Sequence, residues 1–279
     1  MTFFDEIGVK RDVSSKPETS YRELRDLLSV RWLFIEEEKE EQQPMEGFSF
    51  YDLQNGYNIY ENDNWLPMGL GFDKAISTEA IDDVTGVKKA RYMLYSLVMG
   101  KEALLRNADI LDIDEEPADY ALKAKNDEKL IDERREYVAD SFEIDNRGFT
   151  ATTNFDKEML LFFSVPYDRG WSATVNGETV LIERVNYGLS AVRVPAGEAV
   201  VRFDYWTPGL TEGLALTAAG LIMLSLYLCI GAVIKSRKDR ETVLPYREDE
   251  EPMPTGQELD DYLASIDELP PAVNKEEKE

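Results

Sequence analysis

GLALTAAGLIMLSLYLCIGAVI, residues 213–234, runs for 22 positions without a charged side chain. As a helix rising 1.5 Å per residue it is about 33 Å long, the hydrocarbon thickness of a bilayer. Ten of its residues are Leu, Ile or Val, and together they contribute very roughly −3 to −6 kcal/mol toward insertion. A buried core helix is the competing reading, and the flanks argue against it. Lys235, Arg237, Lys238 and Arg240 follow the run directly, whereas the fifteen residues before it carry only Arg202 as a cation. The positive-inside rule then puts residues 1–212 outside the membrane and residues 235–279 in the cytoplasm, with a single pass between them.

That orientation requires a long domain to be exported. MTFFDEIGVKRD at the start lacks the apolar stretch of a signal peptide, and no other segment is long and apolar enough to begin translocation. The expectation is a C-terminal piece of a larger polytopic protein, whose missing upstream membrane helices carried the domain out. Composition narrows the chemistry further. Among 279 residues, 56 are acidic and 31 basic, a net charge of −25, with no histidine and one cysteine. An acidic surface repels phosphate backbones, so nucleic acid is not an expected partner. Without histidine there is no Ser-His-Asp triad, Cys-His dyad or His-ligated zinc, and one cysteine builds neither an intrachain disulfide nor a thiolate cage. Neither a metal site nor a cofactor is expected, and no residue is assigned a catalytic role.

Working outward from the span, residues 141–210 have an all-β texture. Candidate strands are 149–155, 158–165, 171–175, 179–184, 187–194 and 198–205. Asn176-Gly177 between two of them is a type I′ hairpin signal, because both central positions need positive φ. Short turns between strands imply antiparallel neighbours and a small β-sandwich. Residues 1–140 read as a mixed α/β subdomain. Leu24, Leu27 and Leu28 suggest a short amphipathic helix before a strand at 30–35; residues 57–60 and 68–72 read as two more strands. Val87, Ala90, Leu94, Leu97 and Val98 keep helical spacing, which predicts a helix of about 12 to 20 residues after Gly86. The acidic runs at 36–43 and 112–116 read as solvated loops; the second lacks the turn glycine of a calcium loop. Beyond Arg240 the tail, net −7 from Lys235 onward, is expected to be disordered. Leu259, Tyr262, Leu263 and Ile266 repeat at helical spacing within it, either as a frayed helix or as a partner-binding one. The fold class is thus α+β: a mixed subdomain (1–140), an antiparallel sandwich (141–210), one transmembrane helix (213–234) and a tail (235–279).

The residues with binding chemistry gather around one turn. Tyr167, Trp171 and Tyr187, with Asp168 and Asn186, are the types that stack on sugar faces and bond hydroxyls. Packing inside the sandwich is the other reading, and for Trp171 it is the favoured one.

LLSVRWLF (27–34), then Tyr60-Glu61-Asn62 and Leu66-Pro67, resemble the "LLSVKYLF … YEN … LP" pattern of the bacterial YfhO family. The longer likeness is FFSVPYDRGWSATVNG (162–177), followed by VPAGE (194–198), YWTPGL (205–210) and a final membrane span. This resemblance covers roughly residues 20–234. It implies a place among polytopic bacterial cell-membrane proteins related to GT-C glycosyltransferases, which are implicated in moving sugars from lipid-phosphate donors onto envelope polymers such as lipoteichoic acid. On that reading the partners are the bilayer, the upstream helices and an envelope glycan or lipid-linked sugar. The family's catalytic acid belongs to an early loop outside this sequence, so the chain alone is expected to be inactive. The alternative is a single-pass protein whose outer β-domain binds a ligand or partner and whose tail recruits a cytoplasmic protein.

Overall fold

The computed structural model describes residues 3–9, 17–37, 44–123, 128–241 and 256–267. Residues 38–43 of the first acidic run and tail residues 242–255 and 268–279 lie outside the described residues. The chain divides into two compact units, Met1–Thr211 and Glu212–Glu279.

The first unit is α+β. Strands β1 (Trp32–Glu36), β2 (Phe48–Gln54) and β3 (Tyr57–Asn62) form a small antiparallel sheet in the order β1-β3-β2. Four short strands follow: β4 (Leu70–Phe72), β5 (Lys74–Ser77), β6 (Leu97–Met99) and β7 (Asp112–Asp114). Next come β8 (Ser141–Ile144), β9 (Gly148–Phe155), β10 (Met159–Pro166), β11 (Trp171–Val175), β12 (Glu178–Val180), β13 (Ile182–Val185), β14 (Leu189–Val194) and β15 (Gly197–Tyr205). They make a seven-stranded sheet, β4-β10-β14-β13-β6-β5-β7, and a five-stranded sheet, β12-β11-β15-β9-β8.

Within the seven-stranded sheet β10 is buried on both faces from Met159 to Phe163, which explains its unbroken apolar run. Leu160 and Phe162 join a core shared with the helices Arg22–Leu27 and Gly86–Tyr95; Met159, Leu161 and Phe163 point the other way, into a core shared with the five-stranded sheet. Leu189 and Ala191 against Val192 and Val194 divide β14 in the same manner. The two facing sheets form the expected sandwich. Its larger layer, however, takes β4 to β7 from before residue 140, so the boundary drawn there runs through a sheet.

Several local expectations change. The helix after Gly86 stops at Tyr95; Ser96 is extended (φ −147°, ψ 144°) and Leu97–Met99 becomes an interior strand between β5 and β13. Full burial of all three side chains suits a covered strand better than a helix face. The stretch expected as one strand at 179–184 is two. β12 pairs with β11 and β13 with β14, so the chain changes sheets at Leu181, which is 60% exposed. Residues 112–114 of the second acidic run form β7, parallel to β5, instead of a loop.

A helix runs from Leu210 to Glu241, all but its first two residues in the second unit. The most apolar stretch of Leu210–Arg240 has a mean hydropathy of 2.2, and none of it is covered by the chain. Gln257–Asp267 is helical, at the position where the tail's apolar spacing predicts it.

Candidate functional site

An open groove of about 600 Å³ lies where the Asn186–Gly188 loop, the β10–β11 turn and the helix Lys101–Arg106 meet. Asn186, Tyr187 and Gly188 all have positive φ, at 47°, 63° and 139°, which folds the β13–β14 connection tightly back. Asn186 is fully buried and holds that loop to β6: its backbone N–H donates to the Val98 carbonyl (2.7 Å) and its Oδ1 accepts from the Val98 N–H (2.9 Å). The Tyr167 N–H donates to the Gly188 carbonyl at 2.8 Å, which brings the β10–β11 turn alongside.

Two of the five sequence candidates, Tyr167 and Tyr187, line this groove. The Tyr167 side chain is exposed at its edge. The Tyr187 ring is half-buried, with the Lys89 ammonium 5.0 Å from its centroid, and its hydroxyl has no hydrogen-bond partner among the described residues. Burial, reinforced by the Glu6 and Asp82 carboxylates, pushes the Tyr187 phenol pKa up, so the group is a neutral donor at any physiological pH. Asn186 stands behind the loop as its brace.

The other two belong elsewhere. Asp168 shapes its own turn: Oδ1 accepts from the Gly170 N–H (2.7 Å) and the Tyr205 hydroxyl (3.3 Å), and its carbonyl accepts from the Trp171 N–H. Trp171 packs against Tyr205, Phe149 and Phe203 at centroid distances of 4.9, 5.8 and 6.0 Å. That is the packing role favoured for it from sequence.

Charged residues that sequence reasoning passed over complete the groove. Arg106 donates from Nε and Nη2 to the two Glu183 oxygens (3.0 and 2.7 Å), and the Asn107 amide adds a third bond at 3.0 Å. Glu183 is only 4% exposed, so the pair forms a neutralised wall and leaves Lys101 and Arg184 as the other cationic side chains of the lining. No sequence signal joins Arg106 to a carboxylate 77 positions away; the inward place of Glu183 in an alternating strand was the one available hint. The exposed Tyr167 face and the charged side chains of the lining can stack a sugar ring and bond its hydroxyls, whereas the Tyr187 hydroxyl is itself buried. Among the described residues no three His, Cys, Asp or Glu side chains come together as metal ligands would.

Residues 115–217 match the family described as "Bacterial membrane protein YfhO". A similar curated protein, "Uncharacterized protein YfhO" from Bacillus subtilis (strain 168), is 21% identical over 90 residues, which are 32% of this chain and 10% of the relative. The matched region thus spans about a tenth of that relative's length. No solved structure matches the chain.

Proposed function

We propose that this chain, whose residues 115–217 match the bacterial YfhO membrane-protein family, is the accessory, glycan-contacting end of a larger envelope glycosylation protein. On this reading residues 1–212 face outward, the tail is cytoplasmic, and further membrane helices supply the catalytic centre. The polymer contacted is of the lipoteichoic acid type. The observation that carries the reading is the groove itself, where two tyrosines sit beside Arg106, Arg184 and Lys101. The apolar helix after Thr211, with its basic C-terminal flank, supports membrane attachment.

The test uses the full 279-residue chain in detergent and purified lipoteichoic acid as probe. Tyr167 is 43% exposed, so Tyr167→Ala preserves the fold. Binding weakened at least tenfold with an unchanged circular dichroism spectrum is the expected result. Equal binding by wild type and variant, or none by either, overturns the proposal. The helix Gln257–Asp267 favours a second reading, in which the tail recruits a cytoplasmic protein; deleting residues 257–267 would then abolish recruitment and spare polymer binding.

A further inference from the structure

The small sheet β1–β3 carries a second aromatic surface, remote in sequence from the groove. The Arg31 guanidinium lies between two indoles, 4.8 Å from the Trp32 ring centroid and 4.7 Å from that of Trp65. Trp32 in turn meets Tyr51 at 4.7 Å. Trp65, Arg31, Trp32 and Tyr51 therefore form one continuous strip of π surface. Its formation follows from register. Trp32 pairs across the sheet with Glu61, and Glu61 with Ser49, so all three share a face. A β-bulge between Phe50 and Asp52 falls at Tyr51, and bulges re-aim the side chain they carry. Glu61 fixes Arg31: its Oε1 accepts from Nε at 2.9 Å and lies 2.8 Å from Nη2 in an ion pair. The strip is thus built before any ligand arrives, and binding need not order it.

We propose that this strip is a binding platform for an uncharged, hydroxyl-rich glycan, distinct from the groove at Tyr167. Charge selects the ligand class. The strip's cation is neutralised by Glu61, and register puts Asp52 and Glu36 on the same face, so polyanions are disfavoured at the strip itself. Tyr51 is 59% exposed and Trp32 and Trp65 are half-buried, so Tyr51 offers most of the ring surface for the C–H faces of pyranose rings. Asp52 and Ser49 beside the rings are acceptors for sugar hydroxyls, a demand that a purely apolar protein partner would not meet.

Affinity electrophoresis of the full chain in detergent, through gels containing soluble β-glucan, dextran, galactomannan or poly(glycerol phosphate), tests this. Retardation by at least one of the three neutral polymers, reduced fivefold or more by Tyr51→Ala and by Trp32→Ala, is the expected result. Trp32→Tyr keeps an aromatic face and should restore most of the retardation, which separates a lost stacking surface from a misfolded sheet. The proposal is overturned by no retardation in any neutral gel, by full retardation of Tyr51→Ala, or by retardation confined to poly(glycerol phosphate). Loss through Tyr167→Ala alone would place binding in the groove and also overturn it.

Discussion

Asp26 is 1% exposed at the end of the helix Arg22–Leu27, and its Oδ1 accepts from the Asn62 amide at 2.8 Å. Burial raises its pKa from 3.8 to about 6, against the opposing pull of that hydrogen bond and of Arg22. Between those two values the folded chain holds a proton that the unfolded chain has released. Stability contributed by this carboxyl therefore rises as pH falls from about 6 to about 4, and at pH 7 its ionisation costs about 3 kcal/mol. Asp26→Asn keeps the acceptor and removes the charge, so its urea midpoint should exceed that of wild type at pH 7 and lose the advantage at pH 4. At Trp171 the expectation runs the other way. Trp171→Ala opens a cavity beside Phe149 and Phe203 and should cost about 3 kcal/mol, read as a lower urea midpoint with m unchanged.

Elements differ in how much of their geometry a local reading can reach. Asn176-Gly177 has φ of 52° and 85°, as its hairpin requires, and β11 and β12 pair around it. The same dipeptide at Asn55-Gly56, with φ of 52° and 76°, turns β2 into β3 and was readable by the same rule, yet no strand was read at 48–54. Gly56→Ala and Gly177→Ala should each cost about 1 kcal/mol, measurable by thermal unfolding, because neither site crowds a Cβ and the loss is purely conformational. Leu97–Met99 was less accessible: three apolar residues continuing a helical pattern give no sign that a parallel neighbour on one side and an antiparallel one on the other await them. The groove was half legible. Tyr167 and Tyr187 carry their chemistry in plain view, whereas Arg106 and Glu183 meet only through tertiary structure. Arg106→Ala should destabilise by about 2 to 3 kcal/mol in urea titrations, since it strands a buried carboxylate, with the figure held down by the arginine's own partial exposure.

For the whole molecule, the helix Leu210–Glu241 decides where the protein resides. Leu224 and Leu228 lie within its apolar stretch, and replacing both by Arg adds roughly 5 to 7 kcal/mol against insertion. Such a variant should be released by alkaline carbonate wash, whereas the wild-type chain stays with the membrane pellet. The first unit has a different constraint. From β9 to β15 the chain passes between the two large sheets four times, through residues 156–158, 167–170, 181 and 195–196. Layers laced together at such short intervals cannot hinge open like the covers of a book, so no guest can be admitted between them. Recognition is confined to the periphery, and natural variation in length should follow suit: insertions would be accommodated at the tip beyond Gln54 but rejected at the single-residue stitch of Leu181.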